Sequence, residues 1–207
     1  NPFPSSLDWD LVTKGNGMDN ALYYYDNGSP TPGYKYYIYL TGGLSGGTKN
    51  IPPMQGFMVH AKTSGTQTLT FTNSARIHDG QNAFFKKSEP LIANILNMKV
   101  EGNGVADYAR VCFYEPATDN FDSDFDAYKL FSYSETIPQL YSITSDNTPL
   151  AINTLPITKM NNIVPVGFKA GSAGNFIFTA ENLQSFDASV LINLNDLKTG
   201  TTQNLSN

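Results

Sequence analysis

The sequence predicts an all-β protein, an antiparallel and jelly-roll-like β-sandwich built as two packed β modules at residues 1–88 and 89–207. Three observations carry this. Apolar residues come in short runs that alternate with polar ones at period two. After residue 88 these runs recur about every ten residues, with Gly, Asn, Asp and Pro between them, the rhythm of a sandwich. No helix-length pattern at period 3.6 interrupts that second half.

The 207 residues are 40% hydrophobic and 13% aromatic, enough for a sizeable core. Charged residues make up 15%, against about 25% in an average soluble domain. The polar surface therefore falls to Asn, Ser, Thr, Gln and Gly. Net charge is −5, and no basic cluster exceeds Lys86-Lys87. Nucleic-acid binding needs several convergent cations and is excluded on that ground. No apolar run has the length of a membrane span, so no membrane insertion is expected. The single cysteine, Cys112, permits no disulfide within the chain and reads as a small buried hydrophobe among Val111, Phe113 and Tyr114. The opening Asn1-Pro2, without an initiator Met or a signal peptide, reads as a piece cut from something longer.

In chain order, Ser5 or Ser6 is placed to cap one helical turn over residues 7–12, and Trp9 reads as a core plug. Ala21–Tyr25 and Tyr34–Leu40 form a hairpin of aromatic strands around the turn residues 26–33. Tyr37 and Tyr39 share one face of their strand. With Tyr23 and Tyr25 across the hairpin, these tyrosines are the candidate sugar-binding platform, against the simpler reading of cross-strand aromatic pairing. Thr41–Asn50 is Gly-rich without a phosphate-binding pattern and reads as a flexible surface loop. Gln55–Lys62 and Gln67–Thr72 alternate as two strands of a second hairpin around Ser64-Gly65.

The boundary between the modules is expected at Ser88-Glu89-Pro90. Beyond it, strands are expected near residues 92–100, 109–114, 129–133, 140–143, 150–153, 163–169, 175–179, 189–194 and 201–205. Chemistry-bearing residues concentrate in one place, where Asp119, Asp122, Asp124 and Asp126 fall in a single loop. Like charges this close must be solvated, hydrogen-bonded or bound to a cation. An EF-hand counted from Asp122 fails, because position 6 is Ala127 and position 12 is Tyr133. A looser calcium site made by these four aspartates is the one metal reading, and it requires the segment to curl. The competing reading has Asp122 and Asp126 accepting backbone N–H groups within turns, with Lys129 or Arg110 neutralising part of the charge.

His60 and His78 are the only histidines and have no metal-ligand spacing. With no nucleophile motif beside them and no cleft-flanking carboxylate pair, the chain reads as a non-enzyme without catalytic residues.

Several stretches together resemble a module of Bacteroidota cell-surface proteins exported by the type IX secretion system. Asn1-Pro2-Phe3-Pro4-Ser5-Ser6-Leu7-Asp8-Trp9 is similar to the opening of that module. Tyr23–Asp26 stands at its first strand end, and Ile51-Pro52-Pro53-Met54-Gln55-Gly56-Phe57-Met58-Val59 follows in the family's order. Ala117–Asp122 through Asp126–Leu130 resembles its acidic motif, with Phe125 where the family has Tyr. Leu150–Pro156 and Val164–Phe168 resemble two later strands. The resemblance implies secretion to the outer cell surface and a structural or adhesion role within a larger surface protein. It also implies that the final strands of the 89–207 module lie beyond Asn207, leaving an open sheet edge. In the family Asp122 and Asp126 belong to the motif and Asp124 does not.

Three roles follow as expectations. The first is a non-catalytic structural or adhesion module. The second is a carbohydrate-binding module using the tyrosine hairpin, with calcium supporting the acidic loop. The third is a subunit of a filament or complex that accepts a neighbouring protein's strand at its open edge.

Overall fold

Alternating apolar positions settle the chain into strands and short 3₁₀ turns, and the computed structural model describes residues 1–28, 32–77 and 92–206. The first half holds β1 (Ser6–Asp8), β2 (Thr13–Lys14), β3 (Leu22–Asp26), β4 (Gly33–Ile38), β5 (Gly42–Leu44), β6 (Asn50–Ile51), β7 (Leu69–Thr70) and β8 (Arg76–Ile77). The second half holds β9 (Ile95–Gly102), β10 (Val105–Phe113), β11 (Ala127–Tyr128), β12 (Gln139–Ile143), β13 (Pro149–Leu155), β14 (Val166–Lys169), β15 (Ile177–Glu181), β16 (Asn193–Asp196) and β17 (Thr201–Asn204). The fold is all-β, as the residue rhythm predicts. The boundary expected at residues 88/89, together with His78, Lys86 and Lys87, lies outside the described residues.

The largest sheet runs β14-β12-β13-β10-β9-β15, with β11 also paired to β13, and curls into a half-barrel. Its pairings are antiparallel except β10 with β13, which run parallel from Arg110↔Ile152 to Phe113↔Leu155. A three-stranded sheet, β3-β4-β5, lies against one face of it. The core is accordingly layered. Met98, Val100, Ala109, Val111 and Leu140 pack together on the side of the large sheet away from β3-β4-β5. Tyr23, Tyr36, Ile38 and Leu44 meet Ala127, Ala151 and Ile152 between the two sheets. Leu22, Tyr24 and Tyr37 face outward from there onto Leu7, Trp9, Val12 and Ile51. Residues from either side of position 88 thus share the middle layer.

This layering explains why the β3–β4 hairpin is aromatic on both faces. A strand buried on both sides needs apolar side chains at every position, so alternation between core and solvent disappears. It also corrects the expected role of Thr41–Asn50. Residues 42–44 form β5, and Thr41, Leu44 and Thr48 are buried. A Cβ at Gly43 would stand 1.8 Å from the Gly47 carbonyl, and one at Gly47 would stand 1.9 Å from that of Tyr36. The glycines permit close backbone approach and make this a packed segment, not a mobile loop.

The expected hairpin of Gln55–Lys62 with Gln67–Thr72 does not form. The first segment makes single bridges, Tyr23↔Met58 and Met18↔Ala61, while β7 pairs with β2. Phe57, Val59, Leu69 and Phe71 all pack around the Trp9 cluster, so the N-terminal strands claim both segments before they can claim each other. The expected strand at 129–133 is also absent. Pairing ends at Tyr128, where Lys129 turns inward to an ion pair with Asp107. The helical turn expected at 7–12 shortens to a 3₁₀ turn at Trp9–Leu11. Its cap is Asp8, which accepts from Asp10 N at 3.0 Å, and not Ser5 or Ser6. Trp9 is buried, its indole N–H donating to the Asn20 carbonyl at 2.7 Å.

Asn1 gives the opening motif a physical sense. Its side-chain amide donates to the carbonyls of Ser5, Ile51 and Pro52, so the N-P-F-P and I-P-P stretches are tied to each other. The pairing Leu7↔Ile51 in β1–β6 and the Trp9–Phe57 ring contact at 6.2 Å extend that tie.

Candidate functional site

The acidic segment curls, because the amides of Phe125 and Asp126 both donate back to the Asp122 carbonyl, at 3.1 and 2.8 Å. Asp122 accepts the Asp124 amide at 3.0 Å, a turn that Asp residues favour. Asp126 closes the structure. It is fully buried, and one carboxyl oxygen accepts the Asp122 amide at 2.8 Å while the other accepts the Thr154 amide of β13 at 2.6 Å. Thr154 returns a bond from its hydroxyl to the Phe125 carbonyl at 2.9 Å. Burial pushes the Asp126 carboxyl up to about 8, against the pull of the two N–H donors and with the Asp122 charge adding to the rise.

The other two acids face elsewhere. Asp124 accepts the Asn20 side-chain amide at 2.8 Å, and Asp119 pairs with Lys159 at 2.8 Å. The four aspartates therefore have separate partners and do not converge on one point. Among the described residues no group of three or more His, Cys, Asp or Glu is placed to hold a metal. The two cations expected to neutralise the loop are committed elsewhere. Lys129 pairs with Asp107, whose carboxylate also accepts the Leu140 amide at 2.6 Å. Arg110 donates to Asn97 at 2.7 Å and to the carbonyls of Thr41 and Gly43. Cys112 is fully buried, and desolvation pushes its thiol up to about 12, so it presents no thiolate.

The curled loop docks on the N-terminal half through a cluster that sequence spacing did not disclose. Asp19 is fully buried and contacts His60 Nδ1 at 2.6 Å. The half-exposed His60 ring lies 4.8 Å from Tyr128, which stacks on Phe121 at 4.0 Å. Lys62 donates to the Ser123 hydroxyl at 2.7 Å, and the Asn20 amide donates to the Ser123 carbonyl at 3.0 Å. Desolvation raises the Asp19 carboxyl, and its second oxygen has no hydrogen-bond partner. Chemically this is an imidazole fixed by a buried carboxylate, with its other nitrogen free of that contact, the usual way of orienting a histidine. The one sequence signal was the alternation that set Met58, His60 and Lys62 on a common side of their strand. Nothing in spacing pointed to Asp19, 41 positions away.

The candidate tyrosine platform is not a single surface. The register Leu22↔Tyr37 and Tyr23↔Tyr36 sets Tyr23 and Tyr25 on one face of the hairpin and Tyr37 on the other. Tyr23 is buried, its hydroxyl accepting the Tyr128 amide at 3.1 Å. Tyr37 is buried with its hydroxyl donating to Asp10 at 2.8 Å. Tyr25 and Tyr39 are 43% and 54% exposed. Tyr37→Phe is therefore expected to cost about 1.5–3 kcal/mol in a denaturation experiment, because a hydrogen bond to a charged partner is lost. Tyr39→Phe is expected to stay within about 0.5 kcal/mol of the parent, the usual range for surface changes.

A family model described as a domain of unknown function, DUF8693, matches residues 1–207. No curated protein and no solved structure matches the chain.

Proposed function

The chain belongs to the DUF8693 family, and from that premise we propose that it is a non-catalytic structural or adhesion module of an exported bacterial cell-surface protein. The observation that carries this is the way the acidic loop is used. Each of its four carboxylates is taken up by a protein group; Asp124, Ser123 and Tyr128 tie the loop to Asn20, Lys62 and Tyr23 of the N-terminal half, and Asp126 ties it to Thr154 of the large sheet. A loop serving as a joint gives mechanical continuity to a segment within a longer polypeptide. The ordered resemblance to type IX-exported modules supports the location. The motif residues Asn1, Trp9, Ile51, Phe57, Asp122 and Asp126 all fasten architecture in this fold.

Surface proteolysis of intact cells carrying an epitope in the exposed β16–β17 turn tests this reading. The tag is expected to be cleaved from outside and to stay in the cell when type IX secretion is disabled. The purified chain is expected to turn over no substrate in glycosidase and peptidase panels. An epitope protected in the cytoplasm of secreting cells, or measurable turnover abolished by His60→Ala, would overturn it.

A further inference from the structure

Of the ion pairs among the described residues, the one between Lys129 and Asp107 is set apart by its dryness. The Lys129 side chain is 1% exposed, whereas the lysines that pair with Asp26, Asp8 and Asp119 are 18%, 38% and 40% exposed. Lys129 follows β11 and reaches Asp107 of β10, 22 positions back. Its nitrogen stands 5.9 Å from the centre of the buried Tyr36 ring, and Asp107 is its one hydrogen-bond partner among the described residues. An ammonium carries three donors, so two of them meet no acceptor there. Burial accordingly lowers the Lys129 amine from its ordinary value, against the opposing pull of Asp107. A lysine amine desolvated in this way is a nucleophile, and a carboxyl carbon is the atom next to it.

We propose that Lys129 and Asp107 condense to a side-chain amide, an isopeptide cross-link that the folded chain forms by itself. Transfer of a proton from the ammonium to the carboxylate removes both charges from the dry interior and leaves an amine against a carboxylic acid. The proton is carried on Oδ1, which has no hydrogen bond among the described residues, while Oδ2 keeps the Leu140 amide at 2.6 Å. The Nζ lone pair attacks Cγ, and the carbonyl electron pair moves onto Oδ2. The Leu140 N–H sits where that negative charge develops, as a donor of an oxyanion hole does. The Cγ–Oδ1 bond then breaks, and the hydroxyl leaves as water with a proton from the attacking nitrogen. One N–C bond forms, one C–O bond breaks, one water is released, and no co-reactant is required.

The surroundings suit this step. A cavity of about 20 Å³ adjoins the pair, lined by Tyr36, Asp107, Leu130 and Gln139. It has room for a single water, the size of the leaving group. The fold holds nucleophile and acid in contact, which replaces the encounter that the same condensation needs in solution. The other lysine pairs are wetter and stay ion pairs. Because the acidic loop lies between residues 107 and 129, the amide closes a covalent ring through the joint. This chemistry is independent of where the module is displayed, so it and the proposed location stand or fall by separate measurements.

Denaturing mass spectrometry of the purified chain tests it. The parent is expected to weigh one water less than its sequence, with the tryptic peptide that carries Asp107 joined to a peptide left uncut at Lys129. Lys129→Arg and Asp107→Ala are expected to show the full sequence mass. Asp107→Asn gives a second readout that keeps the shape of the site, since its carboxamide is expected to form the same bond with loss of ammonia instead of water. Near-UV circular dichroism identifies the folded samples. A folded parent that keeps its full sequence mass after prolonged incubation at neutral pH overturns the assignment. A water loss that persists in Lys129→Arg, or that maps to a single unbranched peptide, overturns it as well.

Discussion

Arg110→Ala is expected to lower the stability of the fold by about 3–5 kcal/mol, because three neutral acceptors between the sheets lose their donor at about 1–3 kcal/mol each. Arg110 lies in β10 directly opposite Asn97 of β9 and points to the face covered by β3-β4-β5. Its guanidinium crosses the layer between the sheets and donates to the Thr41 and Gly43 carbonyls. Truncation leaves those carbonyls and the Asn97 side chain without a donor in a dry interior, and each such group costs about 1–3 kcal/mol. Arg110→Lys keeps a charge but has no planar fork to serve three acceptors, so it should recover only part of the loss. Arg110→Met removes the desolvated charge and fills the volume, and should be less damaging than alanine. Urea denaturation of the three variants gives the order. An alanine variant within about 1 kcal/mol of the parent would show that the guanidinium is not what holds the sheets together.

What the sequence disclosed and what it hid divide by the range of the interactions. Strands β9, β10, β12 and β13 follow local alternation and turn residues, and their existence was legible before any fold was known. The Gly-rich run at 41–50 was not, because glycine marks both a free loop and a backbone pressed against another. Only the approach of Gly43 to Gly47 and of Gly47 to Tyr36 distinguishes them. The tyrosine hairpin misled for a related reason. Its alternation was correct, with Tyr37 opposite in facing to Tyr36 and Ile38, but sheets cover both faces and leave no exposed row. The joints were invisible altogether. Arg110 reaches back 69 positions to Thr41, His60 reaches 41 to Asp19, and Asp126 reaches 28 forward to Thr154. A single polar residue in a strand carries no signal of which distant carbonyl or amide it will meet. Within the acidic loop the local part was readable, namely that Asp122 and Asp126 accept backbone amides.

Asp126 leads to the second large effect, a fall in stability as pH rises. Its folded carboxyl titrates at about 8 and an unfolded aspartate at 3.8. Between those values the folded chain holds a proton that the unfolded chain has released, so stability is greatest below the lower value and is lost progressively up to the higher one. At about 1.4 kcal/mol per pH unit, the full window is worth roughly 6 kcal/mol. Asp19, also raised by burial, acts in the same direction, so the contribution of Asp126 must be read as a difference between proteins. Asp126→Asn provides it. The amide cannot ionise, and its NH₂ faces a backbone donor where the carboxyl had accepted one. It should therefore be destabilised by about 1–3 kcal/mol at pH 4. As pH rises it should lose less stability than the parent, and near pH 8 it should equal or exceed it. Denaturation midpoints of both proteins across pH 4–8 make the comparison. Parent stability that climbs relative to Asp126→Asn over this range would mean that the amides of Asp122 and Thr154 outweigh desolvation and hold the carboxylate ionised. The same buried acid would then be a fixed charge at the joint instead of a proton carrier.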